Sequence, residues 1–222
     1  MDAFISYSNV DRDMAHATKE ALREFGIAGF LAHEDLQVSE EWRNAIIEEL
    51  KVVAIFVALL SENFSASEWC AQEVGYIISR AEVLIVPLSL DGTVPGGFIS
   101  TLQSKRVRSL GDVAIILRDV LFKKRPRLMI PRWIERVRNA GTWRGAEALV
   151  EPLVPYFPTF TASETRTFME AALGNNQVWD AGLIRTTILP AFAREHWRDI
   201  PRELRARFLA TLELAEDDVY AV

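Results

Sequence analysis

Nine consecutive apolar residues at 52–60 (VVAIFVALL) constrain the fold of this chain more than any other feature. An apolar run bounded by polar segments suits a strand buried on both faces, and such strands belong to parallel sheets covered by helices. The chain continues Ser65-Ala-Ser-Glu-Trp-Cys-Ala-Gln-Glu73. Ser65 with Glu68 three places on fits a capping box, which predicts a helix at the carboxyl end of that strand. Trp69 and Glu73 are then four apart and share one helical face. A carboxylate beside a large aromatic at the rim of a parallel sheet is where an α/β protein keeps its ligand.

The rest of the first half alternates in the same way. Residues 3–7 (AFISY) read as a strand, and Ser8 with Asp11 resembles a second capping box for a helix carrying Val10, Met14, Ala17, Ala21, Leu22 and Phe25. Gly26 ends that helix, and 29–32 (GFLA) make a second short strand. A polar loop at 33–37 (HEDLQ) leads to a helix capped by Ser39 with a stripe of Trp42, Ile46, Ile47 and Leu50. The next helix is placed from Ser67, a fourth strand at 83–90 (VLIVPLSL), a weak one near 106–108 and a helix over 112–122. Single helices between strands imply crossovers and a doubly wound parallel sheet of flavodoxin-like order.

Beyond Lys123 no strand pattern remains. Helices are predicted near 131–140, 142–156, 163–173, 178–197 and 201–214, with Thr161 to Ser163 capping the third, Asn175-Asn176 ending it and Pro190 kinking the next. The expected division is 1–125 for the α/β domain and 126–222 for a small all-helical one. The stretch 123–144 holds eight basic residues against the single acid Glu135. It reads as solvated helix faces and salt bridges, and the net charge of −6 gives no reason to expect a nucleic-acid partner. One cysteine cannot form an internal disulfide and suits a reducing compartment. With no basic leader and no apolar run of roughly 18 residues, a cytoplasmic protein without a membrane partner is expected.

Six pieces in order resemble a TIR (Toll/interleukin-1 receptor/resistance) domain of the bacterial stand-alone kind. They are Phe4-Ile-Ser-Tyr7, Phe30-Leu-Ala-His-Glu-Asp-Leu36, Ser39-Glu-Glu-Trp42, Val57-Ala-Leu-Leu-Ser-Glu-Asn-Phe64, Ser67-Glu-Trp-Cys-Ala-Gln-Glu73-Val-Gly75 and Gly97-Phe-Ile99, and they cover about residues 1–125. The resemblance implies cleavage of NAD+ at the nicotinamide–ribose bond, with Glu73 as the catalytic carboxylate and Trp69 the aromatic near it. It also implies substrate contacts from Phe4, Tyr7 and Ser8 at the end of the first strand and from His33 in the polar loop. NAD+ is then substrate, and no cofactor is expected. The products are nicotinamide and either ADP-ribose or a cyclic ADP-ribose, according to whether water or an adenine nitrogen attacks. Antiphage defence and self-association through TIR domains are the implied biology, with a sensor partner or ligand at the helical region.

Each residue also has a plainer reading. Glu73 could be a solvated carboxylate, Trp69 and Phe4 core groups, and Ser8 a cap. His33 and Glu34 read as exposed loop residues, and three histidines in the whole chain make no metal constellation. Cys70 reads as a small buried hydrophobe rather than a nucleophile. No phosphate loop, dinucleotide glycine fingerprint or nucleophile elbow occurs. Two rival functions follow: a non-enzymatic scaffold acting by TIR–TIR assembly, and a glycosidic enzyme like the nucleoside deoxyribosyltransferases, whose fold and catalytic Glu are similar.

Overall fold

The computed structural model describes residues 2–31 and 40–219. The expectations for the loop at 33–37, for His33 and for Ser39 as a cap fall outside them. The chain divides into two compact units, 1–124 and 125–222.

The first unit is a five-stranded sheet flanked by helices. Its elements are β1 (Ala3–Ser6), α1 (Arg12–Glu24), β2 (Gly29–Leu31), α2 (Glu40–Val52), β3 (Ile55–Leu60), α3 (Glu62–Ala66), α4 (Glu68–Ile77), β4 (Leu84–Ser89), β5 (Lys105–Arg106) and α5 (Leu110–Lys124). All pairings are parallel and the order is β2-β1-β3-β4-β5, a doubly wound flavodoxin-like sheet. Helix α1 packs with α5 and α2 with α4. Every residue of β3 is buried, which is why that strand tolerates no polar side chain. One face of the sheet carries Phe4, Phe30 and Phe56 into a core with Ile46, Leu50, Phe64 and Ile77. α1 ends in a Schellman motif: Gly26 adopts φ 71° while Gly26 and Ile27 donate to the carbonyls of Arg23 and Leu22 (3.0 and 2.9 Å).

Three local expectations need correction. The apolar run does not begin a strand at Val52, which closes α2 and is 62% exposed; β3 starts at Ile55. Ser65 caps nothing, because it lies inside α3, and two separate serines cap the two helices that follow β3. Ser8 makes no side-chain cap bond either, and α1 starts only at Arg12 after a short 3₁₀ turn over Asn9–Asp11.

The second unit is helical: α6 (Pro126–Arg138), α7 (Trp143–Val150), a 3₁₀ stretch Glu151–Thr159, α8 (Ala162–Gly174), α9 (Asn176–Trp179), a π-helical turn Ile184–Ile188, α10 (Leu189–His196) and α11 (Arg202–Leu212). The helix expected over 142–156 therefore tightens at Glu151, next to Pro152, and the one expected over 178–197 is broken by a turn at 180–181, after which the helix resumes and runs through a π turn into α10. Thr161 and Glu164 form a full capping box on α8. Asn175 ties the unit together, its amide donating to the carbonyls of Arg138 and Ala140 (3.0 and 2.9 Å) while its oxygen accepts from the Gln177 N–H (2.9 Å). Phe157, Phe160, Phe168 and Phe192 form one aromatic cluster, with Phe192 centred 4.6 Å from Phe157 and 4.7 Å from Phe168. His196 completes it. Its Nε2 lies 2.9 Å from the Phe157 carbonyl, which can only accept, so Nε2 carries the proton and Nδ1 faces the Thr165 hydroxyl. The basic residues of this region are partly absorbed: Arg127 binds Glu164 and the Thr159 carbonyl, and Arg136 lies over Trp133.

Candidate active site

The carboxyl end of β3 leads into a serine-rich passage whose hydroxyls organise the helix starts. Ser61 caps α3 by accepting from the Phe64 N–H (3.0 Å) and donates its own proton to Asp11 (2.6 Å). Asp11 is thus a bridge from the β1–α1 connection to the end of β3. Ser67 then turns the chain in an extended conformation and caps α4 through the Cys70 N–H (3.3 Å). Asp91, in the loop after β4, accepts from the N–H groups of Thr93 and Glu62 (both 2.8 Å). Hydrogen bonding from the Thr93 side chain first, then from the N–H groups of Glu62 and Thr93, holds its carboxyl down at about 2. The loop after β4 is thereby tied to the first turn of α3.

On α4 the residues at 70, 73, 74 and 77 turn inward. Three are apolar or thiol groups and the fourth is Glu73, only 4% exposed. A carboxylate on a buried helical stripe costs several kcal/mol to keep ionised unless something compensates, so its proton affinity rises. Burial raises Glu73 from 4.5 to about 7, and one group resists this: the wholly buried Ser6 at the end of β1, whose hydroxyl donates to Glu73 Oε2. A carboxyl poised near neutrality is suited to acid–base work and to meeting a cation.

The structure brings Ser6 and Glu73 together and distributes the other candidates differently. Trp69 stands at the start of α4 and is 38% exposed. Ser8 is half-buried. Tyr7 is buried, and Phe4 is fully buried, its ring 5.7 Å from Phe56 and 5.4 Å from Phe30. Phe4 is a core group and offers no surface to a ligand in this arrangement. His33 is outside the described residues. Burial pushes the Cys70 thiol up to about 11, so it carries no thiolate at neutral pH. Among the described residues no group of three or more His, Cys, Asp or Glu is placed to hold a metal. No helix among them is long and apolar enough to cross a membrane.

Ser6 is the partner that local sequence reading does not supply. Strand alternation puts Ser6 on the same face as Phe4, which is the face covered by α4. Removing its hydroxyl in Ser6→Ala should leave the buried carboxylate without its charge-stabilising donor and move the Glu73 titration up by about one unit or more. The check is a pH titration of the Glu73 side chain by carbon NMR, in which an unchanged midpoint would show that the hydroxyl contributes nothing.

A family model described as TIR domain matches residues 3–114. No curated protein matches the chain.

Proposed function

The chain belongs to the TIR-domain family, and from that premise we propose that it is a NAD+ nucleosidase with Glu73 as its catalytic carboxylate. The observation that carries this reading is the nearly enclosed Glu73 on α4, the second helix after the third strand, held by the Ser6 hydroxyl. In the reaction the bond between ribose C1′ and the nicotinamide nitrogen breaks, and its electron pair neutralises the pyridinium. The ribose is left oxocarbenium-like. An ionised Glu73 stabilises that charge, or holds the ribose hydroxyls while it develops. Water then bonds to C1′ and loses a proton to give ADP-ribose, or an adenine ring nitrogen bonds to C1′ and the adenine amine loses a proton to solvent, giving a cyclic product. The half-exposed Trp69 and Ser8 are the groups we assign to the substrate, and antiphage defence by NAD+ depletion or a nucleotide signal is the proposed role. We assign the helical unit to sensing, regulation or oligomerisation.

TIR domains commonly self-associate, and a scaffold without catalysis is the second reading. Its support is the same enclosure of Glu73, since a carboxylate with 4% exposure needs a rearrangement before a ribose can reach it. Assembly supplies one, by selecting the conformation in which the site is open. Turnover per molecule is therefore expected to rise with protein concentration. Purified protein is incubated with NAD+ across a wide concentration range, nicotinamide is followed by chromatography, and light scattering reports assembly. Nicotinamide release that climbs with assembly supports the proposal. Assembly with no nicotinamide at any concentration would leave the scaffold, and constant turnover from a strict monomer would remove the coupling.

A further inference from the structure

The outer edge of β4 is open along most of its length. β5 pairs only with Leu88 and Ser89. Leu84 and Leu90 donate their N–H groups inward, to the carbonyls of Ala54 and Leu60 (3.0 and 2.8 Å), while Ser89 accepts outward from Val107 (2.9 Å). Alternate residues of a strand address opposite neighbours, so the main-chain groups of Ile85 and Pro87 point away from β3, where no described strand meets them. Ile85 thus presents an N–H and a C=O side by side. Pro87 presents a C=O alone.

That edge borders a cavity of about 490 Å³. Its apolar walls are Leu102, on one side, and Ile116 and Val120 of α5, on the other. Three exposed lysines rim it, Lys105 from β5 and Lys123 and Lys124 from the last turn of α5. Among the described rim residues the acid is Asp119, which is already engaged by Arg118 (2.8 Å). The site shares no residue with the Ser6–Glu73 pair and stands two strands away from Ser6 in the sheet order.

We propose that this cavity binds a nucleoside di- or triphosphate. A nucleobase needs a flat apolar slot and an adjacent donor and acceptor for its hydrogen-bonding edge. Leu102, Ile116 and Val120 supply apolar contact for the base and Ile85 the donor and acceptor. The lysines supply point charges for a polyphosphate. The volume falls within the range of small-molecule sites. An extended peptide adding to the edge is the other ligand such a groove suggests, and Pro87 tells against it: a ladder would lack a donor at that position. A base edge asks only for one donor and one acceptor, and Ile85 has both.

Calorimetric titration of the full chain with ATP, GTP and inorganic triphosphate tests this, with the NMR shift of the Ile85 amide as the local readout. One or both nucleotides should bind saturably and move the Ile85 amide, and inorganic triphosphate should bind more weakly. The Lys105→Glu/Lys123→Glu double variant, whose changes are on exposed side chains, should lose affinity by about tenfold or more as charge-assisted contacts are replaced by repulsion. Three results would overturn the proposal: no saturable nucleotide binding at millimolar concentration, equal binding of inorganic triphosphate, or undiminished affinity in a double variant shown by circular dichroism to be folded. A change confined to self-association would equally reject it.

Discussion

Glu73→Gln is expected to lower NAD+ cleavage by about 10²–10³-fold, as loss of a preorganised electrostatic group does, while making the protein harder to unfold at neutral pH. The first effect follows from removing the charge that meets the oxocarbenium ion. The second follows from burial. Because Glu73 is raised from 4.5 to about 7, the folded chain keeps a proton that the unfolded chain has already lost over that interval. The group's favourable contribution is complete below pH 4.5, declines as pH rises and is gone above about 7. At roughly 1.4 kcal/mol per unit, the interval between 4.5 and about 7 corresponds to about 3.5 kcal/mol. Glutamine keeps the shape and an acceptor for Ser6, and never ionises. The melting temperature of the variant should therefore exceed that of the unmodified protein by more at pH 8 than at pH 4.5. Equal differences at the two pH values would sink the buried-carboxylate account, and retained turnover would sink the catalytic assignment.

The second large effect lies in the helical unit. Phe192→Ala should cost about 3–5 kcal/mol, the usual penalty for emptying a packed aromatic site. Phe192 is 1% exposed and sits centrally, with ring centroids 4.6 Å from both Phe157 and His196. Its loss strips one ring contact from each of Phe157, Phe160 and Phe168 and loosens the imidazole that bridges the Phe157 carbonyl to Thr165. Urea unfolding followed by tryptophan fluorescence is well placed to read this, because four of the six tryptophans (Trp133, Trp143, Trp179 and Trp197) belong to this unit. A midpoint change equivalent to less than about 1 kcal/mol would mean the site closes over the lost ring, as sites able to collapse do.

The parts of this fold that were legible in the sequence are those written by burial. β3 is apolar throughout because both its faces are covered, and the amphipathic spacing of α1 leaves little choice of face. What local pattern could not settle is which of several equivalent signals is used. Ser61, Ser65 and Ser67 all have cap chemistry, yet Ser61 and Ser67 cap and Ser65 is interior, an outcome set by the path of the chain between β3 and α4. Val52 is apolar and still belongs to the exposed end of a helix, so the nine-residue run spans two elements. Glu73 was readable as a candidate from its place after the strand. Its burial and its bond to Ser6 were not, because that contact joins residues 67 positions apart and exists only once β1 lies beside β3. In the helical unit, one long helix and a helix with a π turn have nearly the same apolar spacing over 178–197, and the distinction rests on backbone hydrogen bonding.

That π turn has a consequence for rotational phase. An α-helix advances about 100° per residue, so two positions five apart sit some 140° round from each other. Ile184 and Leu189 are five apart, and both are wholly buried. They can share a side only because the wider turn, closing from each residue to the fifth beyond it, brings the chain nearly full circle over that interval. Phe192, Ala193 and His196 then follow Leu189 in ordinary α-helical register. Deleting a single residue from 184–188 would let the turn close as ordinary α-helix over four residues and keep Phe192 and His196 in phase, whereas inserting one there would rotate everything downstream by about a quarter turn and swing both out of the aromatic cluster.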